Sequence, residues 1–169
     1  MEFNYKMSPN AEALYRNGLD FQKAAERCLN MEEKGTLHII DEQGMQILPA
    51  PAVVNAAFAC EMFLKALILR SGQQYPTNKN GHNLKFLFDM LPETIKSKVC
   101  HCCIPNNPEA ENKFISFLSR HSKDFVDIHY YVTRAGWQGM TPIMLYSYAH
   151  NIGNATKFLL SNWEESING

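Results

Sequence analysis

Apolar and small residues recur every three or four positions along most of this chain, the spacing that places them on one face of an α-helix. This pattern predicts four long helices, over residues 9–34, 51–70, 108–133 and from 142 onward, and two shorter ones over 82–91 and 92–103. Prolines at the expected first turns, where no amide hydrogen is needed, support these starts. The sequence therefore predicts an all-α fold, an up-and-down bundle of four long helices with a short helical insertion.

Residues 35–50 depart from the helical pattern. Two apolar runs, TLHII and MQIL, flank the turn-forming sequence DEQG, and two prolines follow. This arrangement is typical of a small β-hairpin or of a short extended excursion. We expect one of these two structures between the first two long helices.

The second long helix is almost wholly apolar, yet it contains Glu61 and Lys65 four residues apart. Side chains at this spacing are neighbours on one helix face. Charges placed near the centre of an apolar run do not suit a membrane span, which favours a buried core helix. We predict that Glu61 and Lys65 form a structural ion pair; the alternative is a pair that poises a proton for transfer.

The size and charge of the chain limit the classes of protein it can belong to. It has 169 residues, of which 46% are hydrophobic, and 16 basic residues offset 17 acidic ones. We expect one domain over 1–169 with a substantial core, without the excess positive charge that coats nucleic acid or anionic membranes. The first residues contain no apolar run typical of an export signal, so we expect a cytoplasmic protein that is not associated with a membrane.

The third predicted long helix, 108–133, and the turn after it carry a dense group of polar residues that suits phosphate chemistry: Arg120, His121, Asp124, His129, Tyr130 and Arg134. Arginine can bind a phosphate while a histidine transfers a proton, which is the chemistry of RNA cleavage. The alternative is that His121, which falls in the apolar stripe, is a hydrogen-bonded core residue. Candidate catalytic residues are His129, Arg134, Arg120 and His121, and Asp124 and Tyr130 are candidate RNA-binding residues.

Two further positions suggest ligand binding. His82 follows Gly81 at the start of a predicted helix, where it can contact a ligand, act as a general base or anchor the preceding loop. His150 and Asn154 belong to a polar strip on the last helix, which either lines a groove or faces solvent.

The sequence Cys100-His101-Cys102-Cys103 resembles a metal-binding motif at first. A structural zinc site needs four ligands, usually two separated pairs, and no second pair follows. Cys60 is on another predicted helix. We therefore expect reduced, buried thiols, no metal and no cofactor.

Three segments together resemble the HEPN family of prokaryotic all-helical domains: 57–69 (AFACEMFLKALIL), 81–91 (GHNLKFLFDML) and 124–132 (DFVDIHYYV). The first is similar to the family's acid-then-lysine helix and the second to its Gly-His-x-Leu helix start. The third is similar to the segment that ends in Arg-Tyr. The resemblance is strongest over 51–160.

The HEPN resemblance implies a homodimer in a defence, toxin–antitoxin or stress system. Active members are metal-independent endoribonucleases that use an Arg-x(4–6)-His motif at the dimer groove. Here no arginine precedes a histidine at that spacing, and His129 stands where the family has the arginine of Arg-Tyr. We therefore expect an RNA- or partner-binding domain without intact nuclease chemistry. The alternatives are a divergent ribonuclease and an antitoxin-like or adaptor subunit that pairs with a nucleotidyltransferase.

Overall fold

A computed structural model describes residues 9–29, 49–122 and 142–164 of the chain. These residues form six α-helices and one 3₁₀ turn: α1 (Pro9–Cys28), α2 (Pro49–Arg70), the 3₁₀ turn (Lys79–His82), α3 (Leu84–Asp89), α4 (Glu93–Cys103), α5 (Ala110–His121) and α6 (Pro142–Ser161). No strand occurs within these ranges. The predicted all-α bundle is confirmed.

The observed helix ends differ from the predicted ones in local details. Helix α2 begins two residues early, at Pro49, and α3 begins at Leu84 because Asn83 caps it by accepting a hydrogen bond from the Phe86 amide, 2.9 Å away. The predicted hairpin and the predicted ends of the first and third long helices lie outside the described residues.

Helix α2 is the centre of the bundle. It packs against α1 and α6, which also contact each other, and against α3. Its length and apolarity alone would suit a membrane span, but 72% of its most apolar stretch is buried by the rest of the protein. Small residues such as Ala52, Ala56 and Ala59 are fully buried and allow the neighbouring helices to approach closely.

The ring of Phe63 on α2 fills the contact between α1 and α6. A methyl group on Gly153 of α6 would lie 2.9 Å from this ring, and one on Gly18 of α1 would lie 2.5 Å from it. Two glycines therefore face one aromatic side chain at the point where the three helices meet. The missing side chains provide the space that the ring occupies.

Helices α3, α4 and α5 form a second packing group beside this three-helix centre. Helix α4 contacts α5 and α6, and α3 contacts α2 and α5. Within this group, the ring of Phe114 on α5 meets that of Phe88 on α3 edge-on at 5.1 Å between ring centres. Phe117 of α5 joins the two groups, because its ring stacks on that of Tyr148 of α6 at 3.7 Å between ring centres.

The far ends of α2 and α6 are joined by a cation–π contact. The guanidinium of Arg70, the last residue of α2, lies 5.5 Å from the centre of the Trp163 ring. Trp163 follows α6 and is buried. The contact therefore fixes the two helix ends to each other.

Candidate functional site

The buried carboxylate of Glu61 is the centre of the most elaborate polar cluster in the described part of the chain. Glu61 is 1% exposed, and its Oε1 lies 2.5 Å from the Nζ of Lys65, which is 7% exposed. The structure thus brings together the two residues that the sequence pairs at helical spacing. If either side chain moved away, the other charge would be left buried without a counter-ion. This cost keeps the two side chains paired.

His82 provides a second contact for the same carboxylate. Its Nδ1 lies 3.2 Å from Oε2 of Glu61, and its side chain is 51% exposed. Because a carboxylate only accepts, the Nδ1–H of His82 donates this hydrogen bond. The contact fixes the orientation of a half-exposed imidazole and ties the 3₁₀ turn to α2. His82 therefore anchors the loop, and Asn83 rather than His82 caps α3.

Tyr75 and Gly81 complete the cluster, and both were missed as site residues from the sequence. The Nζ of Lys65 lies 4.8 Å from the centre of the Tyr75 ring, a cation–π distance. Gly81 is buried against the carbonyl oxygen of Pro76, and a side chain there would collide with that oxygen. Thus residues 71–83 fold back over the ion pair. The turn-forming Pro76 and Gly81 were the available sequence signal, and they predict a turn but not the packing of Tyr75 on Lys65.

The predicted group for phosphate chemistry falls only in part within the described residues. Asp124, His129, Tyr130 and Arg134 lie outside the described residues. Arg120 is exposed near the end of α5, and His121 is the last residue of that helix. Among the described residues of this group, Arg120 is therefore the one whose exposed guanidinium can bind a phosphate.

The polar strip of α6 is solvent-exposed rather than buried in a groove. His150 and Asn154 are exposed, and the Nδ1 of His150 lies 3.0 Å from the Nε2 of Gln22 on α1. The amide donates in this pair, so a neutral His150 carries its proton on Nε2. Tyr146, one turn earlier, also contacts Gln22; burial, with a contribution from nearby Glu26, raises its pKa above the ordinary value.

The cysteine cluster differs from its predicted composition. Cys100 and Cys103 are buried on α4, whereas Cys102 is exposed. Cys60, which the sequence places on a separate helix, lies near them: burial raises the pKa of Cys103, and the negative charges that Cys60, Cys100 and Cys102 would carry when ionised raise it further. Burial also raises the pKa of Cys60 and of Cys100 to about 12. These thiols are therefore protonated, and weakly nucleophilic, at neutral pH.

The described residues contain no group of three or more histidine, cysteine, aspartate or glutamate side chains arranged to hold a metal ion. The Nδ1 of the exposed His101 ring lies 2.8 Å from the backbone oxygen of Ser97, one turn earlier on α4. The ring of His101 is therefore bonded to its own helix.

Comparisons of the chain with protein-family models, with curated proteins and with solved structures each found no match.

Proposed function

We propose that this chain is a HEPN-like RNA-binding domain of a prokaryotic defence or stress system, acting in the cytoplasm as a homodimer and without nuclease activity. The observation that carries the proposal is the position of Glu61. This residue belongs to the first of the three segments that resemble the family, and its carboxylate binds His82, which belongs to the second. Two segments that were chosen for their sequence likeness are thus joined by a contact to one buried carboxylate.

The preference for binding over cleavage has two supports. The first is the absence of the arginine–histidine spacing from the sequence. The second is that Glu61 and Lys65, the most buried charges in the described ranges, bind each other. A lysine that is 7% exposed and paired in this way is a poor partner for an RNA phosphate. Arg120 remains on the surface for that purpose.

The homodimer rests on exposed apolar surface. Ile143, Met144 and Phe158 of α6 are among the exposed large hydrophobic residues. Helical bundles commonly bury such residues against a second copy. Met144 and Phe158 are separated by almost four helical turns, so a partner that covers both would lie along most of the helix.

The test combines RNA binding with RNA cleavage. Purified protein is mixed with a pool of labelled single-stranded RNA, and band shifts and fragment sizes are recorded for wild type, His129→Ala and Arg134→Ala. Arg16→Ala, which removes an exposed arginine from α1, is the charge-matched control. We expect binding that weakens with salt and no cleavage.

Two results would overturn the proposal. Cleavage by the wild type that both His129→Ala and Arg134→Ala abolish would identify a divergent ribonuclease. An absence of RNA binding by a protein that is folded would favour the adaptor alternative, in which another protein is the partner.

A further inference from the structure

A cavity of about 400 Å³ opens between the first half of α1 and the loop that follows α2. One wall is formed by Asn10, Ala13, Leu14 and Asn17 of α1. The opposite wall is formed by Leu69, near the end of α2, and by Gln74, Tyr75 and Thr77 of the loop. The volume falls within the usual range of small-molecule pockets, about 300–1,000 Å³. The cavity is separate from the polar strip on α6 and from the cysteine cluster.

The lining has a distinct chemistry. None of the described residues that line the cavity carries a charge. Leucine and alanine side chains supply an apolar surface, and three amides, those of Asn10, Asn17 and Gln74, surround it. Each amide offers both hydrogen-bond donors and an acceptor. A ligand that suits this site is uncharged, has an apolar face and carries donors and acceptors at its edge.

Tyr75 adds an aromatic wall that is held in place. Its ring contacts the Nζ of Lys65, which is itself fixed by Glu61. The start of the loop is fixed as well, because Gly72 adopts a φ of 79° and the Gln73 amide donates to the Ile68 carbonyl at 3.2 Å. The buried ion pair thus supports the loop wall of the cavity, which reduces the ordering cost of binding.

We propose that this cavity binds a nucleobase. A base is planar, stacks on aromatic side chains and presents hydrogen-bond donors and acceptors at its edges, which amide side chains can match. The uncharged lining leaves the sugar and phosphate outside. The inference rests on the proposed RNA-binding function where the base is part of an RNA strand; a free nucleoside offers the same chemistry.

The test separates these two sources. Adenosine, guanosine, cytidine and uridine are titrated into the full-length protein by calorimetry, with ribose 5-phosphate as the ligand without a base. In parallel, a short single-stranded RNA and the same RNA with abasic positions are compared by fluorescence anisotropy. We expect at least one nucleoside to bind, ribose 5-phosphate not to bind, and the abasic RNA to bind more weakly than the intact one.

Variants then locate the binding site. Asn17→Ala and Gln74→Ala change exposed side chains and should each weaken nucleoside binding by about three- to tenfold. Tyr75→Leu should weaken it by about tenfold or more through loss of stacking. Gln73→Ala, on the same loop but outside the lining, and Asn112→Ala, on an exposed position of α5, should leave the dissociation constant unchanged.

The outcomes distinguish this inference from the proposed function. If RNA binds and Asn17→Ala and Gln74→Ala have no effect on either ligand, the nucleobase pocket is wrong and RNA binding is retained. If nucleosides bind in a manner sensitive to these variants and RNA does not bind, the pocket is retained for free nucleosides and the proposed function is wrong. Binding of ribose 5-phosphate as tight as that of the nucleosides would also overturn the inference.

Discussion

The two most apolar helices, α2 and α6, differ in how their surfaces are used. Helix α2 is covered by α1, α3 and α6, and even its charged Glu61 and Lys65 are buried. Helix α6 covers α2 with one side and exposes the other, where Met144 is 49% and Phe158 is 57% exposed. An apolar helix therefore has one of two structural roles in this bundle. In α2 it forms the core, and in α6 part of it is surface available to a partner.

This difference predicts where substitutions act. A polar group on α2 must find its partner inside the protein, since the cost of an unpaired buried charge is large. A polar or apolar group on the outer side of α6 has water as the alternative. We expect changes in α2 to alter the free energy of unfolding and changes in the outer side of α6 to leave it nearly unaltered.

The largest effect is expected for Glu61→Ala, which leaves the Lys65 ammonium buried without its carboxylate. The free energy of unfolding should fall by about 3–5 kcal/mol, measured by urea denaturation. The double variant Glu61→Ala/Lys65→Met removes both charges and should recover part of this loss. A loss below about 1 kcal/mol in the single variant would contradict the structural importance of the pair.

A smaller loss is expected for Gly153→Ala. The added methyl group would lie 2.9 Å from the Phe63 ring and also 2.9 Å from the Oε1 of Gln22. Overpacking of this kind costs about 1–3 kcal/mol, which exceeds the helix-propensity gain of about 1 kcal/mol. Asn154→Ala, the next position on α6 and exposed, is the control, and a thermal unfolding curve for each variant gives the comparison. Stabilisation by Gly153→Ala would show that the three helices can move apart.

Alkaline pH should weaken the core through the buried thiols. The folded-state pKa of Cys60 is raised from 9.0 to about 12, so its contribution to stability is complete below pH 9 and is lost as the pH rises toward 12. Between pH 9 and 10.5 the expected loss is about 1–2 kcal/mol for this thiol. Urea denaturation at several pH values measures the slope, and Cys60→Ala should make the slope shallower. An unchanged slope in this variant would assign the pH dependence to other groups.

The smallest effect on stability is expected on the outer side of α6. Phe158→Ser should change the free energy of unfolding by less than about 0.5 kcal/mol, because this side chain is mostly exposed. If α6 forms the dimer interface, the same variant should shift the protein toward the monomer in analytical ultracentrifugation. A loss of stability comparable to that of Glu61→Ala would contradict the expectation that the outer side of α6 contributes little to the free energy of unfolding.

The periodicity of the sequence predicted the helices well, because each helix is determined by residues three and four positions apart. The spacing of Glu61 and Lys65 predicted their contact for the same reason. The HEPN resemblance, the RNA-binding function and the candidate role of His129 and Arg134 stay predictions.

The rest of the cluster could not be predicted from local patterns. His82 is 21 residues from Glu61 in the sequence, and Tyr75 reaches Lys65 only because residues 71–83 fold back over α2. The cavity depends on the approach of this loop to α1, and the thiol group depends on Cys103 of α4 lying near Cys60 of α2. Such contacts follow from packing between distant segments, for which a single sequence gives no periodic signal.

The Arg70–Trp163 contact makes the protein its own optical reporter. A cation close to an indole ring alters its emission, and Trp163 is buried where α6 ends against α2. With Trp137→Phe removing the second indole, the emission of Trp163 reports on the closure of that helix end alone. Its change during unfolding, compared with the loss of helical circular dichroism, would show whether α6 separates from α2 before the bundle melts.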